Sequence, residues 1–177
     1  MKEMIKRLLD EFPDHPAKKM TDSGSWILTD VGIWVPARTE HLLDLFKKIR
    51  LERHRNFIDL GSGDGRVVAA AALFGVQATG IEYDTGLHFV SIRKMQHFPE
   101  INRGIKLIKG NYHDYDISGF DMIFVHGDGH VPEELRQKLE YEMRPGAKAL
   151  FYIYHPQLPG TATLNKKIPV WLYEKKS

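Results

Sequence analysis

Phe57-Ile58-Asp59-Leu60-Gly61-Ser62-Gly63-Asp64-Gly65-Arg66 is the stretch whose reading decides the fold. Its first four residues are a short apolar run interrupted by one acid, the pattern of a buried strand. Three glycines follow at G-x-G-x-G spacing, and from Arg66 to Phe74 the chain is alanine-rich and helical, with Gly75 as its cap. A strand, a glycine turn and a helix in this order let backbone pass close to a ligand. They also aim the free amides of the helix start at that ligand. Glu82 closes the next strand, 21 residues after Gly61.

Outward from this stretch, strands alternate with helices. Val76 to Glu82 reads as a second strand, and Asp84 or Thr85 caps a helix over 85–98 that Pro99 stops. Strands follow at 105–109 and 121–125. Val131-Pro132-Glu133-Glu134 starts a helix that runs to Met143, where Arg144-Pro145-Gly146 breaks it. A fifth strand is expected at 147–154 and the last at 168–173. The alternation predicts an α/β fold, Rossmann-like and doubly wound, with a mostly parallel sheet. The link before the last strand, residues 155–167, reads without a helix, which a covered parallel crossover usually needs. That strand is therefore expected to be antiparallel.

Upstream, Met4, Ile5, Leu8, Leu9 and Phe12 share one helical face and predict a helix over 2–11 that Pro13 ends. Residues 13–38 read as irregular, with Trp26, Ile27 and Leu28 as a short strand or docking segment. A second helix is expected near Thr39, with Thr39 as N-cap and Glu40 in its first turn. The whole chain, 1–177, is expected to be one domain. Residues 1–55 are expected to form an N-terminal helical extension and 56–177 the core.

Composition narrows the function class. The chain is 42% hydrophobic, enough for a core, and has no cysteine, which excludes disulfides and thiolate metal sites. A formal net charge of +2 with mixed signs carries no strong nucleic-acid signature. No apolar run approaches the roughly 20 residues of a transmembrane segment. The N-terminus resembles neither a signal nor a transit peptide, and a cytoplasmic location is expected. The oligomeric state is not legible here.

The glycine loop favours one ligand class. The dinucleotide fingerprint G-x-G-x-x-G holds a pyrophosphate. Here Asp59 and Asp64 flank the glycines, so a pyrophosphate is repelled. A ligand with cationic ammonium and sulfonium groups is attracted. Glu82 suits both classes, because a carboxylate at that strand end accepts from two ribose hydroxyls.

The run F-I-D-L-G-S-G-D-G-R-V-V resembles the first motif of the class I, seven-strand S-adenosylmethionine methyltransferases. The resemblance implies S-adenosylmethionine as cofactor and S-adenosylhomocysteine as product. It places Asp59, Gly61, Ser62 and Gly63 at the methionine part, with Asp59 near its amino group. It places Glu82, followed by Tyr83, at the ribose. Lys109-Gly110-Asn111-Tyr112 is similar to the family segment that flanks the adenine. Many members have Asp at the Asn111 position, and Asn still accepts through its carbonyl oxygen. The segment Ile33-Trp34-Val35-Pro36-Ala37-Arg38-Thr39-Glu40 narrows the likeness. It resembles a segment of the archaeal protein-lysine methyltransferases and of the mitochondrial enzymes that methylate the c-type subunit of ATP synthase. In that group the segment folds over the cofactor, which implies that Pro36 and Thr39 line its site. The group usually has Pro-Tyr before Val-Pro. This chain has Ile33-Trp34, so Trp34 keeps an aromatic face and loses a phenol at the expected acceptor side.

The methyl acceptor is read from the loop after the fourth strand, Val125-His126-Gly127-Asp128-Gly129-His130. It carries no N/D-P-P-Y/F motif, which argues against nucleobase amines and glutamine amides. His126, Asp128 and His130 offer a base with its orienting group, hydrogen-bond donors, metal ligands or plain turn residues. Trp34, His126 and Asp128 are taken as the catalytic candidates, with no metal. The expected activity is N-methylation with a protein lysine as acceptor. A small-molecule O- or N-acceptor, or cofactor binding without catalysis, stays open.

Overall fold

A strand buried on both faces shows apolar side chains on both, and the central stretch does so. The computed structural model describes residues 2–14, 27–29, 32–127, 130–165 and 167–176. Its elements are α1 (Lys2–Glu11), β1 (Ile27–Thr29), β2 (Gly32–Trp34), α2 (Thr39–Lys48), β3 (Asn56–Leu60), α3 (Arg66–Ala72), β4 (Gln77–Glu82), α4 (Thr85–Met95), α5 (Pro99–Asn102), β5 (Ile105–Lys109), β6 (Met122–Val125), α6 (Glu133–Glu142), β7 (Lys148–Tyr152), β8 (Ala162–Asn165) and β9 (Val170–Glu174). Along β3 and β6, Phe57, Met122 and Phe124 enter one core, shared with residues of α1, α2 and α3. Ile58, Leu60, Ile123 and Val125 enter the other, under α6. This period-2 division is why one sheet carries helices on both faces. Phe46 of α2 meets Phe57, Phe74 and Phe124 edge-on at centroid distances of 5.5, 6.0 and 6.3 Å, a favoured aromatic arrangement.

The main sheet has seven strands in the order β5-β4-β3-β6-β7-β9-β8. The first five are parallel, and β9 runs antiparallel to β7, as expected; the connection between them holds β8 and, among the described residues, no helix. β8 was not expected. It pairs antiparallel with β9 at the sheet edge, and its four residues, Ala162–Asn165, alternate apolar and polar over too short and too exposed a stretch to stand out in the sequence. Pro99 also differs from expectation. It stands at the start of the short α5 rather than simply ending α4, a position where its missing N–H costs nothing. β7 stops at Tyr152, two residues early, because Ile153 takes φ +76°.

The N-terminal region is more regular than expected. β1 and β2 form an antiparallel pair, with Ile27 opposite Trp34. Trp26 lies outside the described residues. Thr39 is not the N-cap of α2 but its first helical residue, and Arg38 at the cap position supplies no side-chain bond. The cap comes from Asp14. Its Oδ1 accepts from Thr39 N–H at 2.5 Å and its Oδ2 from Glu40 N–H at 3.4 Å. Asp14→Ala is expected to cost about 1–2 kcal/mol, the usual range for losing a cap. At roughly 2–4 °C per kcal/mol for a domain of this size, the melting temperature falls by about 2–8 °C. Thermal and urea unfolding measure this, and an unchanged midpoint shows that α2 needs no cap.

Candidate active site

β3 lies where the strand order reverses, with β4 on one side and β6 on the other. Open parallel sheets bind ligands beyond the carboxyl ends of their strands at such a point. Leu60, Glu82 and Val125 end these three strands, and a cavity of about 510 Å³ opens above them. That volume lies within the range of small-molecule and cofactor sites.

The glycine loop is held by its neighbours on β4. Gly61 and Ser62 both donate their amides to Ile81 O at 2.9 Å. The Glu82 carboxylate accepts from Gly63 N–H and from Asp84 N–H, both at 2.7 Å. A Cβ on Gly80 would stand 2.7 Å from Ser62 and Val68, so only glycine lets the loop and α3 pack this close to β4. Gly63 has φ +52°, and a Cβ there would stand 2.0 Å from Trp34 Nε1. The Trp34 indole therefore rests on the glycine loop.

Most of the sequence-predicted residues converge here. Trp34, Pro36, Asp59, Gly61, Ser62, Glu82, Tyr83, Asn111, Tyr112 and His126 all line the cavity. Gly63 lies beneath Trp34 and takes no part in the lining. Thr39 is a correction to the expected cofactor set. It is fully buried away from the cavity, and its hydroxyl donates to Phe12 O at 2.6 Å, tying α2 to the end of α1. Asp128 lies outside the described residues. Asn111 Oδ1 accepts from His113 N–H at 3.0 Å, which leaves one lone pair for a ligand. Among the described residues, no group of three or more His, Asp or Glu is placed to hold a metal ion.

Two acids, Asp64 of the loop and Asp59 on β3 just before it, have opposite fates. Asp64 accepts from Arg66 Nε at 3.0 Å, Arg66 Nη2 at 2.9 Å and Lys94 Nζ at 2.9 Å. Burial pushes its carboxyl up, but the bonds and charge of Arg66 and Lys94 outweigh that and hold it below the ordinary value. Its charge is thus neutralised inside the protein, against the expectation that it attracts the ligand. Asp59 is only 1% exposed, and its Oδ1 has no hydrogen-bond partner. Burial, reinforced by Glu82 and Asp64, pushes its carboxyl well above the ordinary carboxylate range. An unpartnered buried acceptor in a cavity wall is satisfied by a cationic donor.

Arg66 was legible in the sequence only as the residue that starts α3. It also lines the cavity, and its Nη1 donates to Ala37 O at 3.1 Å. Its guanidinium lies 5.9 Å from the Trp34 ring and 5.7 Å from the Phe12 ring. One side chain so joins the loop, the Val35–Ala37 segment and α1. The signal was the arginine directly after G-D-G, where a surface helix start would be ordinary.

A family model described as the ANTKMT methyltransferase domain matches residues 59–155, from Asp59 of β3 to the residues after β7. The chain belongs to this methyltransferase family. Among curated relatives, the ATP synthase c-subunit lysine N-methyltransferase of Rattus norvegicus is 27% identical over 143 residues, covering 80% of this chain and 65% of the relative. The protein of that name from Caenorhabditis elegans is 31% identical over 124 residues, covering 66% and 64%. A protein-lysine N-methyltransferase of Saccharolobus islandicus is 32% identical over 94 residues, covering 52% and 58%. The chain thus spans less than two thirds of the length of these relatives. An RNA methyltransferase from Salinibacter ruber, solved with S-adenosyl-L-homocysteine, superposes with a TM-score of 0.72 at 21% identity, covering 81% of this chain and 95% of that one. A methyltransferase from Geobacter sulfurreducens superposes with a TM-score of 0.61 at 14% identity, covering 78% of each chain. At such identities the likeness is one of fold, and the fold is the class I methyltransferase fold. Among the described residues, no helix is long and apolar enough to cross a membrane.

Proposed function

We propose that the chain binds S-adenosylmethionine and methylates the side-chain amine of a protein lysine. The observation that carries the cofactor assignment is Asp59, a buried carboxylate with an unpartnered Oδ1 in the cavity wall. It fits the amino group of the methionine part. Each Glu82 oxygen accepts one backbone amide and keeps a lone pair for a ribose hydroxyl. Asn111 and Tyr112 fit the adenine. When bound, this cofactor supplies a methyl group activated on a sulfonium. What remains for the chain is to bind, to orient and to exclude water.

Lysine as acceptor is supported by the named activities of the Rattus norvegicus, Caenorhabditis elegans and Saccharolobus islandicus relatives. The lining supports it. Trp34, Tyr112, His126 and His130 bring rings to the cavity, and its described carboxylates, Asp59, Asp64 and Glu82, belong to β3, the glycine loop and β4. An amine has an ordinary pKa of ~10.4 and must be neutral to react; entry into such a wall favours the neutral form. Burial, and then the charge of Arg66, lower the His126 pKa to about 4. At neutral pH its imidazole is uncharged, so it orients an amine by accepting an N–H bond and does not act as an acid.

The test is transfer of a radiolabelled methyl group from S-adenosylmethionine into a cell extract, split into protein, nucleic-acid and small-molecule fractions. Label is expected in protein and, after hydrolysis, on lysine. Label confined to small molecules moves the acceptor to that class, and label in no fraction leaves a cofactor-binding protein without catalysis.

A further inference from the structure

Tyr152 ends β7 and is buried below the cavity, and its hydroxyl is fixed by a chain of directed hydrogen bonds. The direction can be read from one end. Lys167 N–H donates to Asn165 Oδ1 at 2.9 Å, which identifies the oxygen of that amide. Asn165 Nδ2 therefore donates to His41 Nε2, 2.9 Å away. Burial, then the charge of Arg38, lower the His41 pKa, despite Asp44 and Asp14 nearby, so the ring is neutral near pH 7. With Nε2 accepting, its proton sits on Nδ1 and points to the Tyr152 hydroxyl at 3.1 Å. The same oxygen accepts from Arg38 N–H at 3.3 Å.

Two parts of the site meet on this residue. Arg38 directly follows Val35, Pro36 and Ala37, which line the cavity. The Tyr152 ring packs edge-on against His126, with centroids 4.9 Å apart. The next residue, Ile153, holds φ +76°, a conformation rare for a β-branched residue, and donates its amide to Pro169 O at 2.7 Å. Backbone strain of this kind persists where the surroundings over-determine it, often beside functional sites.

We infer that Tyr152 is a positioning residue, which sets the Val35–Ala37 wall through the Arg38 amide and the acceptor-side His126 through its ring, with its own hydroxyl oriented by His41 and Asn165. This rests on the proposed methyl transfer only for its effect on rate. The structural part stands alone.

Tyr152→Phe removes the hydroxyl and keeps the ring. In hydrogen exchange, the Arg38 amide is expected to exchange about fivefold faster or more, since it loses its acceptor. The neighbouring Thr39 amide, held by Asp14, is the internal control and stays unchanged. His41→Leu should reproduce the Arg38 effect, and His41→Gln, which can both accept and donate, should largely restore protection. At saturating S-adenosylmethionine, label transfer into the protein fraction is expected to fall about tenfold in Tyr152→Phe, as for a small misplacement. S-adenosylhomocysteine affinity should stay within about threefold. Unchanged Arg38 exchange, or transfer at the wild-type rate, overturns the inference. A wild type that transfers no label instead refutes the proposed function, and the exchange experiment still decides the role of Tyr152.

Discussion

Asp59→Asn is expected to weaken S-adenosylhomocysteine binding by about 30- to 140-fold while raising the melting temperature. The first effect follows from losing a charge-assisted bond to the ligand ammonium, worth roughly 2–3 kcal/mol. The second follows from removing a carboxylate that the fold itself leaves without a partner at Oδ1. A raised folded pKa means that the native state holds its proton more tightly than the unfolded chain. Stability contributed by the protonated group is therefore full below the ordinary value and is lost as pH rises through the raised one. Asn cannot ionise, so the variant escapes that loss, and a gain of about 1–2 kcal/mol corresponds to roughly 2–8 °C. Ligand binding has the opposite slope. A cation selects the ionised carboxyl, so wild-type affinity rises with pH across the window between the ordinary and the raised value, by up to about tenfold per unit. In Asp59→Asn that slope disappears. Calorimetry against pH and thermal melts read both effects, and a variant with wild-type affinity removes Asp59 from the ligand site.

Glu82→Ala has the larger structural effect. Its carboxylate is buried and holds two backbone amides, Gly63 and Asp84, so truncation frees the glycine loop and the start of α4 together. Bonds to a charged group contribute about 1.5–3 kcal/mol each, and a net loss of roughly 2–4 kcal/mol lowers the melting temperature by about 4–16 °C. Cofactor affinity is expected to fall more than about 100-fold, because the ribose acceptor and the loop geometry are lost at once. Glu82→Gln separates the two roles. Its one remaining acceptor oxygen keeps part of the loop in place, so it should fold better than the alanine variant and still bind poorly. Unchanged affinity in Glu82→Ala would make the ribose assignment wrong.

The sheet around β3 was legible because its signals are local: apolar runs of strand length, glycines at a fixed spacing and an acid ending β4. The antiparallel final strand followed from a link that shows no crossover helix. What escaped the sequence depends on contacts between distant segments. The cap of α2 is Asp14, 25 residues before Thr39, and nothing near Thr39 announces it. Asp64 looks free in sequence, and its charge is cancelled by Lys94 on α4 as well as by Arg66 two residues on. β8 lies at the exposed edge and is four residues long, so its apolar–polar alternation is too short to be told from a loop. The Asn165–His41–Tyr152 chain draws on β8, α2 and β7, and no residue spacing encodes it.

Calorimetric titration of the wild-type chain near neutral pH, first with S-adenosylhomocysteine and then with a nicotinamide dinucleotide, tests the central claim most directly. One-to-one binding of the first and none of the second is predicted. No binding of S-adenosylhomocysteine, or binding of the dinucleotide in its place, would contradict it.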